Sequence, residues 1–249
     1  MALLNRKVAL ITGAATGIGE SIARVFASEG SRVVILDRDG AGAEEVAADI
    51  RANGGAAVAC RGDVRDASEA GAAIERALVD FGRLDILVNN AGIYPRHNLL
   101  EMTEAQWDEI VSTNLKGVFQ CTRLALPYMV AQGSGKIVNI SSVTFHIGMK
   151  GLTHYVSSKG GIIGFTRALA REVGGSNIHA NAVTPGAIET EAEKKIATRE
   201  QVDAVVALQS LRRRIVPLDV ARVCLFLASE LSDGMTGQTV NVDGGWVMY

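Results

Sequence analysis

The stretch Thr12-Gly13-Ala14-Ala15-Thr16-Gly17-Ile18-Gly19 joins a strand predicted over Lys7–Thr12 to an amphipathic helix predicted over Gly17–Glu29. Glycines at this spacing let the backbone turn sharply and approach a ligand closely. The first turn of the helix also carries unpaired N–H groups, which attract an anion. The stretch therefore predicts a strand–turn–helix unit whose turn binds a phosphate group.

Apolar strands and amphipathic helices continue to alternate to the end of the 249-residue chain. Strand–helix–strand units favour a parallel sheet with right-handed crossovers. We therefore expect one α/β domain over residues 1–249, a doubly wound, seven-stranded parallel sheet with helices on both faces. The predicted strands are Lys7–Thr12, Arg32–Asp37, Ala56–Arg61, Leu84–Asn89, Lys136–Ser141, His179–Thr184 and Gln238–Val242.

Two features of the second half interrupt this alternation. Thr103 and Gln106 form a capping-box pattern at the start of a long predicted helix, and Pro127 lies within that helix. Proline removes a helical hydrogen bond, so we expect a kink or a break there. Residues 187–214 are predicted to be a partly helical insertion that carries substrate-binding loops.

Composition narrows the class of protein. With 48% hydrophobic residues, 21% charged residues and a formal net charge of −2, the chain predicts no nucleic-acid partner. No apolar run reaches the roughly 20 residues that span a bilayer, and the N-terminus has no signal-peptide layout. We expect a cytoplasmic enzyme with reduced thiols, and the four histidines fit no usual metal-ligand spacing.

Asp37 ends the second predicted strand, about 20 residues after the glycines, at the offset expected for a ribose-binding carboxylate. A carboxylate there accepts hydrogen bonds from the ribose hydroxyls of a dinucleotide and repels a 2′-phosphate. The predicted cofactor is therefore NAD rather than NADP. Arg38 would instead favour NADP, because an arginine at this position is able to hold a 2′-phosphate.

Tyr155 and Lys159 are four residues apart, so a helix places them on one face. A neighbouring ammonium favours the phenolate and would lower the pKa of Tyr155 towards neutral pH. That would suit proton transfer. The pair alone is also common on helices without any function, so the other motifs decide its meaning.

In their order along the chain, Thr12–Gly19, Asn89–Gly92, Ser142 and Tyr155–Lys159 resemble the short-chain dehydrogenase/reductase family over nearly the whole sequence. The resemblance implies a Rossmann-type fold and a catalytic tetrad of Asn114, Ser142, Tyr155 and Lys159. In it, Tyr155 exchanges a proton with the substrate oxygen and Ser142 hydrogen-bonds that oxygen. Lys159 holds the nicotinamide ribose and lowers the pKa of Tyr155, while Asn114 positions a water molecule.

The cofactor site combines the glycine turn and Asp37 with residues that the resemblance implies. These implied residues follow the third, fourth and sixth strands or belong to the tetrad. The complete predicted set is Gly13, Thr16, Gly17, Ile18, Gly19, Asp37, Arg38, Asp63, Val64, Asn90, Ala91, Gly92, Tyr155, Lys159, Pro185, Gly186, Ile188 and Thr190.

The predicted substrate loops are Ile93–Leu99, Val143–His154 and Ala187–Arg214, which are mostly apolar. This lining favours a hydrophobic or aromatic secondary alcohol or ketone over a sugar or a charged metabolite. Predicted substrate contacts are Ser142, Tyr94, His146 and Tyr155. The run Asn89–Pro95 with Thr153–Tyr155 is similar to bacterial aryl-alcohol members of the family, such as 1-phenylethanol dehydrogenase.

Two other functions stay open. Reductases of 3-oxoacyl groups on acyl carrier protein share this core, but they usually carry basic docking residues where this chain has Gln132–Ser134 and Gly174–Ser176. A non-catalytic NAD-binding sensor would also use this fold. The resemblance further implies a homotetramer. It would form through two long predicted helices, Thr103–Val130 and Thr153–Val173, and through the C-terminal strand.

Overall fold

The computed structural model describes residues 2–194 and 197–248. The predicted insertion over residues 187–214 therefore contains two residues, Lys195 and Ile196, that lie outside the described ranges. Met1 and Tyr249, the ends of the predicted domain, lie outside them as well.

Seven strands form one sheet in the order β3-β2-β1-β4-β5-β6-β7, and every neighbouring pair is parallel. The predicted doubly wound parallel sheet is confirmed. The strand order reverses between β1 and β4, and ligands bind at the carboxyl ends of the strands beside such a reversal. The strands are β1 Val8–Thr12, β2 Arg32–Asp37, β3 Ala56–Arg61, β4 Ile86–Asn89, β5 Gly135–Ile140, β6 Ile178–Pro185 and β7 Thr239–Val242.

Helices follow the strands as the sequence predicts, with bounds that agree to within about two residues for the long elements. The helices in the described residues are α1 Gly17–Ser28, α2 Gly40–Ala52, α3 Ala67–Phe81, α4 Glu104–Val111, α5 Gly117–Gln132, α6 Thr144–Ile147, α7 Thr153–Val173, α8 Glu191–Lys194, α9 Arg199–Leu208 and α10 Pro217–Ala228.

The central strand β1 is buried along its whole length and divides the core into two layers. Successive strand residues point to opposite faces of a sheet. Ala9 and Ile11 therefore pack with residues of α1 and α10, whereas Val8 and Leu10 pack with residues of α3, α5 and α7. Both faces hold the carboxyl end of β1, where the glycine turn begins, in a fixed position.

The predicted break at Pro127 is wrong. Pro127 is exposed within the continuous helix α5, on the water-facing side, where solvent can bond the carbonyl that proline leaves free. The interruption lies instead at Ser112–Lys116, a π-helical turn between α4 and α5. The capping box of Thr103 and Gln106 is present at the start of α4, as predicted.

The segment between β6 and α10 contains α8 and α9. A parallel β-bridge between Ile188 and Ile215 joins its two ends. In the part of the chain that the structure describes, no helix has the length and apolar character needed to cross a bilayer. Within the same residues, no three His, Cys, Asp or Glu side chains are grouped in a way that could hold a metal ion.

Candidate active site

The glycine turn, Gly13–Gly19, is held so close to its neighbours that side chains are excluded from it. A Cβ atom on Gly13 would lie 2.7 Å from the Ala91 Cα, and one on Gly19 would lie 2.2 Å from the Gly13 carbonyl oxygen. Gly13 also has a φ of +64°, which favours glycine. The turn thus leaves the open cradle at the start of α1 that a pyrophosphate requires, and it fits a dinucleotide.

Thr16 stands at the start of α1 with an extended backbone, and its hydroxyl makes no capping bond to the helix. The side chain is exposed, so it is free to bond a ligand at the helix N-terminus. Ile18, two residues on, is partly buried and packs against the core. Its backbone, rather than its side chain, therefore faces the cradle.

Asn90 fixes the glycine turn to the segment that follows β4. Its side-chain amide donates to the Thr12 carbonyl at 3.0 Å and to the Gly13 carbonyl at 2.8 Å. The Thr12 hydroxyl in turn accepts from the backbone N–H groups of Asn90 and Ala91, both at 3.0 Å. The side chain of Asn90 is thus a brace, and the neighbouring backbone of Ala91 and Gly92 is what borders the cofactor cradle.

Asp37 lies at the end of β2 beside the same turn. Its two carboxylate oxygens accept from the backbone N–H groups of Ala15 and Asp39, each at 3.0 Å. A carboxylate oxygen has a second lone pair, so both oxygens retain capacity for ribose hydroxyls. The next residue, Arg38, is exposed.

Two residues of the predicted cofactor set, Asp63 and Val64, form hydrogen bonds with other residues of the chain. The Asp63 carboxylate forms a 2.6 Å ion pair with Arg65, whose hydrogen bonds hold the pKa of Asp63 below its usual range. Val64 is buried, and its carbonyl accepts from the Gln120 amide at 2.8 Å. Gln120 is a supporting residue that sequence reasoning missed, because its partner is far away along the chain.

The segment after β6 approaches the glycine turn. The Pro185 carbonyl accepts from the N–H of Val143, and the Gly186 N–H donates to the Val242 carbonyl, both at 3.0 Å. Ile188 is buried in the core. The Thr190 hydroxyl accepts from the Glu193 N–H at 3.1 Å.

Thr190 also lies directly beside the glycine turn. A Cβ on Gly17 would lie 3.5 Å from the Thr190 Cγ2. The structure thus brings two separate parts of the predicted cofactor site together, the glycine turn and the segment after β6.

Asn114 lies in the π-helical turn and is fully buried. Its amide donates to the Ile93 carbonyl and its side-chain oxygen accepts from the Ile93 N–H, both at 2.9 Å. The amide also lies 3.3 Å from the Ser158 hydroxyl oxygen. Asparagine is a poor helix former, and these bonds explain its presence, because they hold the segment after β4 against α7.

Ser142 follows β5 and is almost completely buried. Its oxygen accepts from the Thr144 N–H at 3.2 Å and from the Thr144 hydroxyl at 3.0 Å. With both lone pairs occupied, Ser142 has its own proton left to donate, and its hydroxyl favours the ionised form of Tyr155. Thr144 is a second supporting residue that the sequence did not reveal.

The electrostatics of Tyr155 and Lys159 differ from the sequence prediction. Burial raises the pKa of Tyr155 to about 12, although the hydrogen bond with Ser142 opposes this shift. The Lys159 ammonium donates to the Ile140 carbonyl at 2.8 Å and lies 5.6 Å from the centre of the Tyr155 ring. Because it points at Ile140 rather than at the phenol oxygen, the predicted lowering of the pKa of Tyr155 is absent.

Lys159 itself is buried, and burial lowers its pKa to about 8. The helix that carries it is tied to β5, because the Ser141 hydroxyl donates to the Lys159 carbonyl at 2.8 Å. A Cβ on Gly92 would lie 3.5 Å from the Lys159 Nζ and 3.3 Å from the Asn114 side-chain oxygen. Gly92 therefore separates the cofactor cradle from the predicted tetrad without filling the space between them.

Aromatic side chains of the predicted substrate loops pack in pairs, one of which includes Tyr155. The Tyr94 ring meets it edge-on, with centroids 6.1 Å apart. His146 contacts the Phe145 ring at 5.0 Å, and burial lowers the pKa of His146, so its imidazole is neutral at pH 7. His154 is fully buried, and its ring packs on His97 at 5.6 Å.

Gly19→Ala should weaken cofactor binding at least tenfold. The added methyl group would collide with the Gly13 carbonyl and with the Asn90 amide, which are already bonded to each other and cannot separate cheaply. The measurement is a fluorescence titration with NADH. Gly164→Ala in α7 is the control, since nothing lies within 4 Å of its added Cβ; equal affinities for the two variants would contradict the close approach.

Lys159→Met should stabilise the cofactor-free protein at pH 7. Because burial lowers the pKa of Lys159 from 10.5 to about 8, the unfolded chain binds this proton more tightly than the folded chain. The shift corresponds to about 3 kcal/mol, of which the lost bond to Ile140 offsets about 1 kcal/mol. This penalty on folding is complete below pH 8 and disappears as the pH rises to 10.5.

Urea unfolding of wild type and variant at pH 7 and at pH 10.5 measures this difference. The gain in the free energy of unfolding should be present at the lower pH and absent at the higher one. Lys116→Met, which replaces an exposed lysine, should give no comparable gain. A Lys159→Met protein that is less stable than wild type at pH 7 would show that the buried ammonium does not lower the free energy of unfolding.

Comparison with known proteins agrees with this geometry. A family model described as enoyl-(acyl carrier protein) reductase matches residues 13–247. The chain is 40% identical over 245 residues to a 3-oxoacyl-[acyl-carrier-protein] reductase of Thermotoga maritima, covering 98% of this chain and 99% of that protein. It is 42% identical over 246 residues to the reductase of the same name from Staphylococcus aureus, with 97% and 98% covered.

Sugar-related dehydrogenases are similar as well. A D-xylose 1-dehydrogenase of Caulobacter vibrioides is 37% identical over 243 residues, which cover 98% of this chain and 96% of that protein. The crystal structure of a candidate gluconate dehydrogenase from Agrobacterium tumefaciens superposes with a TM-score of 0.94 at 35% identity, covering 98% of both chains. With the glycine turn and the Ser142–Tyr155–Lys159 cluster, these matches show that the chain belongs to the short-chain dehydrogenase/reductase family of oxidoreductases, whose members use NAD or NADP.

Proposed function

We propose that the protein is an NAD-dependent oxidoreductase that interconverts a secondary alcohol and a ketone, with Tyr155 as the acid/base group. The observation that carries this proposal is the buried Lys159 ammonium, which lies 5.6 Å from the centre of the Tyr155 ring and beside Gly92 at the border of the cofactor cradle. Bound nicotinamide would accept or donate the hydride. The chain's own residues then have to orient the substrate oxygen and move one proton.

Each hydroxyl has a distinct part in that step. Ser142 receives two bonds from Thr144, so its own proton points to the substrate oxygen and holds the carbonyl in place. Tyr155 gives its proton to that oxygen when a ketone is reduced, or takes it back when an alcohol is oxidised. Lys159, which is cationic below about pH 8, would hold the ribose of the bound nicotinamide.

The protonation state supports reduction as the easier direction at neutral pH. With a pKa of about 12, Tyr155 carries its proton throughout the physiological range and is ready to act as an acid. Oxidation needs the phenolate and therefore gains from a rising pH. Reduction should weaken as Lys159 loses its charge above about pH 8.

Tyr155→Phe should lower kcat by about a hundredfold to ten-thousandfold, because the ring remains and only the exchanged proton is lost. NAD affinity, measured by fluorescence titration, should change little. Ser28→Ala, which removes an exposed hydroxyl at the end of α1, is the control. Substantial turnover by Tyr155→Phe would rule out the acid/base assignment.

NAD is the proposed cofactor because of Asp37. Its carboxylate is bonded to the backbone at both oxygens and so stays at the ribose position, where it repels a 2′-phosphate. Arg38 is exposed next to it and is the residue that would favour NADP. The preference for NAD or NADP depends on whether repulsion of the 2′-phosphate by Asp37 exceeds its attraction by Arg38.

Asp37→Ser should raise the ratio of kcat/KM with NADP to that with NAD at least tenfold, because it removes the repulsion and leaves Arg38 in place. Parallel assays with both cofactors measure this ratio. Asp80→Ser removes a carboxylate from the exposed end of α3 and should leave the ratio unchanged. An unchanged ratio in Asp37→Ser would move the selectivity to another residue.

A hydrophobic or aromatic ketone is the proposed substrate class. Tyr94, Phe145 and Ile147 lie in the predicted substrate loops with about two-fifths of their surface exposed, and Tyr94 contacts the Tyr155 ring directly. Apolar side chains left open beside polar reacting groups are typical of a substrate pocket. Assays with aryl ketones, aliphatic ketones and sugars side by side test this choice; a clear preference for sugars would contradict it.

A second candidate is reduction of 3-oxoacyl groups on acyl carrier protein, which the names of two relatives favour. Against it, Gln132–Ser134 and Gly174–Ser176, where such reductases usually carry basic docking residues, contain none, and Asp37 disfavours NADPH. Acetoacetyl thioesters with NADPH, compared with aryl ketones and NADH, distinguish the two. Tight NAD binding without turnover of any substrate would favour the third possibility, a non-catalytic sensor.

We further propose that the protein acts in the cytoplasm as a homotetramer. Trp107, Phe119, Tyr128 and Val130, on α4 and α5, each leave more than a third of their surface exposed. Exposed apolar side chains on neighbouring helices are suited to burial against another subunit. Light scattering that gave the mass of a single chain would contradict this assembly.

A further inference from the structure

A pocket of about 440 Å³ opens beside the proposed active site and contains none of the predicted tetrad or cofactor residues. It is lined by Arg96, His97, Asn98, Glu101, Lys150 and Gly151. We propose that this Arg96–Lys150 pocket binds a carboxylate or phosphate group, which a substrate carries at the end remote from its carbonyl. The inference rests on the proposed function, because it assigns a far end to the substrate that Tyr155 would protonate.

The walls of the pocket are fixed to each other by hydrogen bonds. The Arg96 guanidinium donates to the Lys150 carbonyl at 3.1 Å and to the Met149 sulfur at 3.4 Å. The His97 N–H donates to the Gly151 carbonyl at 2.9 Å. These bonds join the segment after β4 to the segment before α7. The two segments therefore form the pocket together and hold its shape.

The charges in the pocket are not balanced. Neither Arg96 nor Lys150 forms an ion pair with any carboxylate in the described part of the chain. Glu101 is the one acidic residue among the six that line the pocket, and its side chain lies 3.4 Å from the Asn98 amide. The two cations therefore leave a net positive charge around the opening.

Arg96 is well prepared to bind an anion. A guanidinium has five N–H donors, and the two bonds to the Lys150 carbonyl and the Met149 sulfur leave others free for a carboxylate or phosphate. Because these bonds already restrict the side chain, binding costs less conformational entropy than it would at a loose surface arginine. Isolated surface cations usually face only water; here two of them converge on one concave site.

The position of the pocket connects it to Tyr155. Tyr94, whose ring contacts the Tyr155 ring, is three residues before His97, and three residues of extended chain span at most about 10 Å. The His97 ring packs on His154, the residue before Tyr155, at 5.6 Å. A substrate with its carbonyl at Tyr155 and an apolar middle against Tyr94 would reach the pocket with its far end.

This changes one expectation from the sequence. The apolar loops favoured a substrate without charge, because Arg96 and Lys150 are more than 50 residues apart along the chain and nothing in the sequence pairs them. The structure brings them together. The substrate class that follows is an oxo acid or oxo phosphate with an apolar body.

The test compares oxo acids of increasing length with their methyl esters, using NADH and the full chain. In wild type, kcat/KM for the acid should exceed that for its ester at the length that reaches the pocket. Lys150→Gln should reduce this acid-to-ester ratio at least tenfold while leaving the Lys150 carbonyl, which Arg96 binds, in place. Arg171→Gln, at an exposed arginine near the end of α7, should not change the ratio.

A second measurement needs no turnover. Inorganic phosphate should raise the melting temperature of wild type and of Arg171→Gln more than that of Lys150→Gln. If phosphate has this effect but the acid-to-ester ratio is the same in all three proteins, the pocket takes a free anion rather than part of the substrate. If neither measurement distinguishes Lys150→Gln from the control, the pocket binds no anion and the inference is wrong.

The two measurements also separate this inference from the proposed function. A protein that reduces neither acids nor esters with NADH would contradict the proposed function, while the phosphate experiment would still decide whether the pocket binds an anion. A protein that reduces both equally well, with no effect of phosphate, would support the proposed function and overturn the inference.

Discussion

The site depends above all on the close approach of the glycine turn to the segment after β4. Gly13 lies so near Ala91 that no side chain fits between them, and the Asn90 amide bridges the remaining distance with two hydrogen bonds. This contact brings the carboxyl ends of β1 and β4 together, at the point where the strand order reverses. The predicted cofactor cradle and the predicted tetrad are neighbours because of it.

A second constraint is the removal of water from Tyr155 and Lys159. Burial disfavours charge on both groups, so the phenol keeps its proton more strongly and the ammonium loses its proton more easily. The fold tolerates the buried ammonium because the Ile140 carbonyl accepts a hydrogen bond from it at 2.8 Å. A group that is costly for the fold is thus held where proton transfer needs it, a common relation between stability and activity.

The sequence predicts most of the fold, because apolar periodicity and glycine turns are local signals. Thr153–Val173 was found to the residue, whereas Pro127 misled because an exposed proline is accommodated where water can replace its lost bond. The π-helical turn at Ser112–Lys116 was not predicted; Asn114, whose side chain disfavours helix, lies within it. The inward bonds of Asn90 and the contact of Lys159 with Ile140 depend on geometry between distant segments, which no local pattern encodes.

The bridge between Ile188 and Ile215 allows the segment that it encloses to vary in length. Since the ends of this segment are already joined, residues between them can be added at the slowly rising cost of loop closure, about 0.6 kcal/mol for each doubling of length. Neither the sheet nor the Ser142–Tyr155 pair needs to move in response. The fold therefore separates the part of the chain that evolution can lengthen from the part that it must keep.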